Sequence, residues 1–255
     1  MSSGKEAQIP KTHPRYKSLL QRHMLEEAMH NGIVAPAGLT AHGRGEAFDY
    51  LIGERTTKNA KGSIRAAAAE LLLAERPVLC VNGNTSALCA REIISLRKAV
   101  PNSAIEVNLF YRSRTREIKI KKLFSKLGEK ILGADPKMQT RITGLDSARR
   151  IVDARGVKNA DTVLVMLEDG DRTEALRKLG KRVIAIDLNP LSRTAKKADI
   201  TIVDNVCRAL PLLTKEVRNL KKCRGGNAAI NSIKARYSNK KALDNSLKII
   251  RGGAR

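Results

Sequence analysis

Five short runs of β-branched and aliphatic residues constrain the fold of this chain more than any other feature. They occupy residues 78–81, 105–109, 162–167, 183–186 and 200–203. Each is nearly continuous in apolar character instead of alternating, the pattern of a strand covered on both faces. Turn residues and a helical stretch follow each run, with only the short segment 190–198 between the last two. Strands separated in this way predict a parallel sheet with helices on both sides. The expected fold is α/β, a Rossmann-like three-layer arrangement of about five parallel strands behind an N-terminal helical extension. No repeat period or long linker divides the chain, so residues 1–255 read as one domain. Within it, 1–76 is mainly helical, 77–206 is the sheet core, and 207–255 is a basic helical part.

Ahead of the sheet, Pro14 suits the first turn of a helix whose apolar stripe is Leu19, Leu20, Met24, Ala28 and Met29, with Gly32 as its stop. The stretch AHGRGEAFDYLIGERTT, residues 41–57, reads as a glycine-rich loop. Residues 63–75 form an Ala/Leu helix that must end before Pro77.

Charge suggests partners without choosing among them. The chain carries 49 Lys and Arg against 25 Asp and Glu, a formal charge of +24. Such a balance suits nucleic acid, an acidic membrane surface or a polyphosphate substrate. Aromatic residues are only 3 %, with no Trp, so stacking recognition of single strands is disfavoured. Phosphate contacts alone leave nucleic acid possible as a partner of the basic C-terminal part. No apolar run approaches the roughly 18 residues of a membrane span, and no signal core begins the chain. A cytoplasmic location is expected. Cys80, Cys89, Cys207 and Cys223 show no metal-ligand spacing, and all four His lie before residue 43, which argues against a structural zinc.

In open parallel sheets ligands bind beyond the carboxyl ends of the strands. Polar residues cluster at all five such ends here: Asn82-Gly83-Asn84, Asn108 to Arg112, Glu168 to Arg172, Asp187 to Pro190, and Asp204-Asn205. Neither a G-x-G-x-x-G fingerprint nor a P-loop is present, which excludes an ordinary NAD enzyme or P-loop ATPase. Asn82-Gly83-Asn84-Thr85 is either a plain helix cap or a phosphate site at a helix N-terminus. Asp187 is placed to accept from ribose hydroxyls, Asn205 to pair with adenine, and Arg193 to approach phosphates.

The stretches IPKTHPRYKSLL, AHGRGEAFDYLIGERT, VNGNTSAL, EVNLFYR, LEDGDRTEALRKLGKRVIAIDLNPLSRTA and ITIVDN carry a resemblance across nearly the whole chain. In these motifs the sequence resembles the archaeal 4-phosphopantoate–β-alanine ligases, or phosphopantothenate synthetases. It departs from them in a short extension before Ile9 and in its basic balance. The resemblance implies an ATP-dependent ligase of coenzyme A synthesis. The carboxylate of 4-phosphopantoate is activated as an acyl-adenylate with release of pyrophosphate, and β-alanine then displaces AMP. It implies ATP contacts at Arg22, Arg44, Asp187, Leu188, Asn189, Arg193, Thr194, Asn205 and Val206, with guanidinium groups from distant stretches converging on one mouth. It also implies Mg²⁺ and a homodimer.

The substrate brings its own phosphate, which demands a second cationic anchor. By position the candidates are Arg112, Lys58, Lys61 and Arg155, with Asn82, Gly83 and Asn84 as backbone partners. The amine step needs a proton acceptor, for which His42, Glu46, Glu168 and Asp169 are available. His42 equally suits a structural hydrogen bond, and Glu168 or Asp169 a helix cap, so no base and no metal ligand is assigned. Two other readings stand beside the ligase: a nucleic-acid-binding protein on an α/β scaffold, and a related adenylating enzyme acting on another acid.

Overall fold

A computed structural model describes residues 9–223 and 225–253. The five apolar runs are strands: β1 (Pro77–Val81), β2 (Ala104–Val107), β5 (Thr162–Met166), β6 (Arg182–Ile186) and β7 (Ile200–Ile202). All neighbouring pairs are parallel, in the spatial order β2-β1-β5-β6-β7. Among parallel strands alone this is the order 2-1-3-4-5, one of the two common doubly wound arrangements.

Alternation along each strand divides the core. Leu79, Val81, Leu164, Met166, Ile184 and Ile186 enter one apolar cluster, while Val78, Cys80, Val163, Val165, Val183 and Ala185 enter the other. The first cluster lies under α3 (Lys58–Leu73), α4 (Gly83–Ala99) and α8 (Val206–Lys221), which pack on one another. The second lies under α6 (Gly170–Lys178) and its neighbour α7 (Arg193–Lys197). Larger side chains therefore fill the thick helical layer and smaller ones the thin layer, as close packing requires.

Between β2 and β5 the chain forms α5 (Arg114–Lys126) and a short antiparallel pair, β3 (Gln139–Arg141) with β4 (Ile151–Asp153). Three-residue strands without apolar alternation leave little periodic signal, and the sequence reading has no counterpart for them.

The N-terminal part corrects two expectations. Helix α1 (Tyr16–His30) begins after Pro14, and its buried residues are Leu25 and Ala28, while Leu20 is 39 % exposed. More consequentially, the glycine-rich stretch read as a loop is mostly helix, α2 (Pro36–Leu51). Three glycines inside a helix cost roughly 1 kcal/mol each relative to Ala. Tertiary contact outweighs that cost: a Cβ at Gly38 would lie 2.3 Å from Asn84 Oδ1, so glycine is what lets α2 approach α4. Pro36 occupies the first helical turn, where its missing N–H is harmless.

After β7 come α8, α9 (Gly226–Ala235) and α10 (Asn239–Gly252), so the described part of the basic C-terminal segment is mostly helical. No helix among the described residues is long and apolar enough to cross a membrane.

Candidate active site

The strand order reverses between β1 and β5, and the crevice at such a switch point is where doubly wound sheets take ligands. A cavity of about 260 Å³ opens there. Its floor is the start of α4, whose cap Asn82 spans the two strands. The Asn82 Oδ1 accepts from Thr85 N at 3.0 Å, and its Nδ2 donates to Met166 O at 2.9 Å and Leu167 O at 3.1 Å. Gly83 is required: an added Cβ would meet Ile33 O at 2.6 Å. The start of a 17-residue helix directs its positive end at the cavity, with Gly83 and Asn84 in the lining.

Arg44, Arg116 and Arg149 line the same cavity. Arg44, on α2, is exposed and makes no hydrogen bond or ion pair among the described residues. Arg116 and Arg149 each carry a buried Nε without a partner among the described residues. The Arg149 side chain is only 6 % exposed, and it pairs with Glu168 and with Asp169 Oδ2 at 2.7 Å. Its guanidinium stands 5.8 Å over the Phe110 ring. Burial works against its charge and lowers its pKa, with Asp169 opposing that pull.

A buried polar chain stands behind Arg149. Arg172, fully buried, pairs with Glu168 and donates to Asn108 Oδ1 at 2.9 Å. Asn108 donates in turn to Glu106 Oε1 at 3.0 Å, and Glu106 also accepts from Asp153 N and Val157 N. Burial pushes the Glu106 carboxyl upward. Each charge is paired or hydrogen-bonded, the condition under which such groups tolerate an apolar surround.

The residues that the resemblance points to for ATP lie on the neighbouring side. Leu188, Asn205 and Val206 face Ala41, His42 and Gly45 of α2 across a small cavity of about 30 Å³. Ala41 and Leu167 line both cavities, so the two adjoin. The half-buried Asp187 accepts from Asn189 N at 2.9 Å and Ser192 Oγ at 2.5 Å, which shapes the turn into α7. Burial raises its pKa. Thr194 donates to Glu168 O at 2.7 Å and so ties that turn to the strand carrying the cavity wall. Asn205 caps α8 through Cys207 N, and its amide nitrogen goes to Asp49 and Gln21. The amide that sequence reasoning places against adenine is thus fully engaged here.

Of the three guanidinium groups expected over one mouth, Arg44 alone is at the cavity without a partner. Arg22 is bound to Glu46 at 2.7 Å and Arg193 to Glu174 at 2.6 Å. The Arg193 hydrogen bond, ahead of Lys178, holds the Glu174 carboxyl down to about 2.

The second-anchor candidates are elsewhere. Arg112 donates to Ile151 O and Gly133 O and pairs with Glu117 at 2.5 Å, joining α5 to the β3–β4 region. Arg155 is held by Asp153 in two contacts of 3.0 Å. Lys61 is exposed on α3, and Lys58 lines a groove against α10. Sequence position could not foresee these carboxylate partners. It also missed Arg149, which reaches the cavity only because the β3–β4 excursion returns it there. Arg116 had a weak signal, one cation in a basic run directly after the β2 end.

Comparison with known proteins follows the same line. The profile of the phosphopantothenate/pantothenate synthetase family matches residues 59–253. A 4-phosphopantoate–β-alanine ligase of Thermococcus onnurineus is 52 % identical over 245 residues, which is 95 % of this chain and 92 % of that protein. The ligase so named in Thermococcus kodakarensis is 51 % identical over the same shares. That of Methanosarcina mazei is 46 % identical over 240 residues, 94 % of this chain and 92 % of its own. With a profile match over most of the sheet and helices, and near-full-length likeness to three such enzymes, the chain belongs to the phosphopantothenate/pantothenate synthetase family.

Proposed function

We propose that this protein condenses 4-phosphopantoate with β-alanine to 4′-phosphopantothenate, using ATP and passing through an acyl-adenylate. One observation carries the reading: a cavity at the switch point joins a helix N-terminus to three guanidinium groups, beside a second, mostly apolar crevice. The first suits an acid that bears a phosphate; the second, at about 30 Å³, marks where a nucleotide base would enter once α2 and the start of α8 part.

In the first step a carboxylate oxygen attacks the α-phosphorus of ATP, an O–P bond forms, and pyrophosphate leaves. A carboxylate is already nucleophilic at neutral pH, so the step needs charge neutralisation instead of a base. Arg44 at the junction of the cavities supplies it, with Arg22 and Arg193 available once a polyphosphate competes for them against Glu46 and Glu174. No cluster of three or more His, Cys, Asp or Glu able to hold a metal occurs among the described residues. Mg²⁺ enters this reading with the phosphates of the nucleotide cosubstrate, an ion commonly held by one or two carboxylates together with such phosphates.

In the second step the β-alanine nitrogen, freed of a proton, attacks the acyl carbon and AMP departs. Glu46 and Glu168 are each already engaged by two guanidinium groups. Asp169, 43 % exposed on the cavity wall, and His42 remain. Burial lowers the His42 pKa and keeps its ring neutral, and its Nε2 has no partner among the described residues.

The test is direct. Purified protein given ATP, Mg²⁺, 4-phosphopantoate and β-alanine releases AMP and pyrophosphate; absence of both defeats the reading. Pantoate lacking its phosphate is expected to give little product, and ATP–pyrophosphate exchange over a panel of acids separates this ligase from an adenylating enzyme for another acid. The homodimer implied by the resemblance is tested by sedimentation.

A further inference from the structure

Two cysteines that the proposed chemistry does not use lie in contact. Cys89 Sγ donates to Cys207 Sγ at 3.3 Å, across the packed pair α4 and α8. Both are free thiols. Cys89 is 1 % exposed, whereas Cys207 is only partly buried. The backbone around Cys89 is not regular: within α4 it alone has non-helical angles, φ −141° and ψ 24°. A kink of this kind interrupts the regular helical geometry of α4 at the cysteine itself. Cys207 sits in the first turn of α8, two residues past the cap Asn205 and one past Val206.

We propose that Cys89 and Cys207 form a reversible disulfide when hydrogen peroxide is the oxidant, and that the bond disturbs the nucleotide crevice. Cys207 is the more accessible sulfur and meets the oxidant first. Its sulfur displaces hydroxide from the peroxide and becomes a sulfenic acid; Cys89 sulfur then attacks it, and water leaves. Overall two thiols lose two protons and two electrons, and one peroxide becomes two waters. The hydrogen bond to Cys207, together with burial, raises the Cys89 pKa, which keeps Cys89 the later partner.

Forming the bond shortens 3.3 Å to about 2.05 Å, a closure of about 1.2 Å. The kink in α4 and the first turn of α8 must absorb that movement. The α8 turn carries Asn205 and Val206 of the nucleotide crevice, and α4 begins at the acid cavity. The link therefore bears on both. This coupling rests on the proposed nucleotide site; formation of the bond does not.

The test uses the full chain with Cys223→Ser, which removes an exposed thiol from competition. Hydrogen peroxide is expected to remove two hydrogens by intact mass, to give a Cys89–Cys207 linked peptide on digestion, and to be reversed by dithiothreitol. In the linked form the KM for ATP is expected to rise at least about tenfold, within the roughly hundredfold loss that a misplacement of about 1 Å can cause. Cys207→Ser, added to the same background, should keep its KM through peroxide treatment. Oxygen addition at Cys207 without a link overturns the bond. A link that leaves ATP kinetics unchanged in an active ligase overturns the coupling. A link in a protein with no ligase activity keeps the bond and rejects the functional reading instead.

Discussion

On the proposed reading, recognition of the acid's phosphate turns on Arg149. Its Nη1 is shared by Glu168 and Asp169, while Nε is buried and unpartnered among the described residues on a cavity wall. Replacing it with Met keeps much of the length and apolar stem but removes the charge and the fork. A hydrogen bond to a charged group is worth about 1.5–3 kcal/mol, which is roughly a 10- to 150-fold rise in KM for 4-phosphopantoate. Arg149→Lys should fall between, since it keeps the charge and loses the planar geometry. Glu168 keeps Arg172 as a partner in either variant, so folding should survive. Initial rates of AMP release, with each substrate varied in turn, measure the effect. ATP KM should stay within about twofold, because the change removes binding of one substrate only. Turnover of unphosphorylated pantoate, expected to be low in the parent, should not fall further. Arg155→Ala is the control: its guanidinium is taken by Asp153, and the KM for the acid should not move. If the phosphorylated and unphosphorylated acids lose equally, or if Arg155→Ala matches Arg149→Met, the cavity does not read the phosphate.

Other consequences can be checked more briefly. Arg44→Ala and Arg193→Ala should slow ATP–pyrophosphate exchange, whereas Arg218→Ala, whose guanidinium donates to Ser95 Oγ at 3.2 Å, should not; equal losses from all three would indicate a folding effect. Gly83→Ala forces a Cβ to within 2.6 Å of Ile33 O, so it should lower Tm by several degrees, at a cost of about 1–3 kcal/mol for overpacking. Thermal unfolding reads this, and an unchanged Tm would mean that the close approach is relaxed in solution. Burial depresses the His42 pKa below its ordinary 6.5, so the folded state resists a proton that the unfolded chain accepts. That stability is present above 6.5 and is lost as pH falls below it; Tm measured from pH 8 to 5 should fall less steeply in His42→Gln than in the parent.

The positions of the parallel strands and the polar clusters at their ends were legible because both are written in consecutive residues. A run such as TVLVM declares burial on two faces by itself, and Asn, Asp and Gly after it declare a strand end. The helical state of α2 was not legible, since Gly38, Gly43 and Gly45 lower local propensity and only the approach of Asn84 reveals why one of them belongs there. Nor was the strand order, which sets the switch point between β1 and β5 and so gathers the ends of β1, β2 and β5, three of five similar strand ends, around the cavity.

Charged side chains were the least readable. Arg112, Arg149 and Arg155 look alike in sequence, yet one is bound by Glu117, one lines the cavity, and one is held by Asp153. The apolar pattern of a strand is a short-range property, paid out every two residues by the pleat. The fate of a guanidinium is set by whichever carboxylate the folded chain brings within about 3 Å, and that partner is fixed only when the tertiary structure closes.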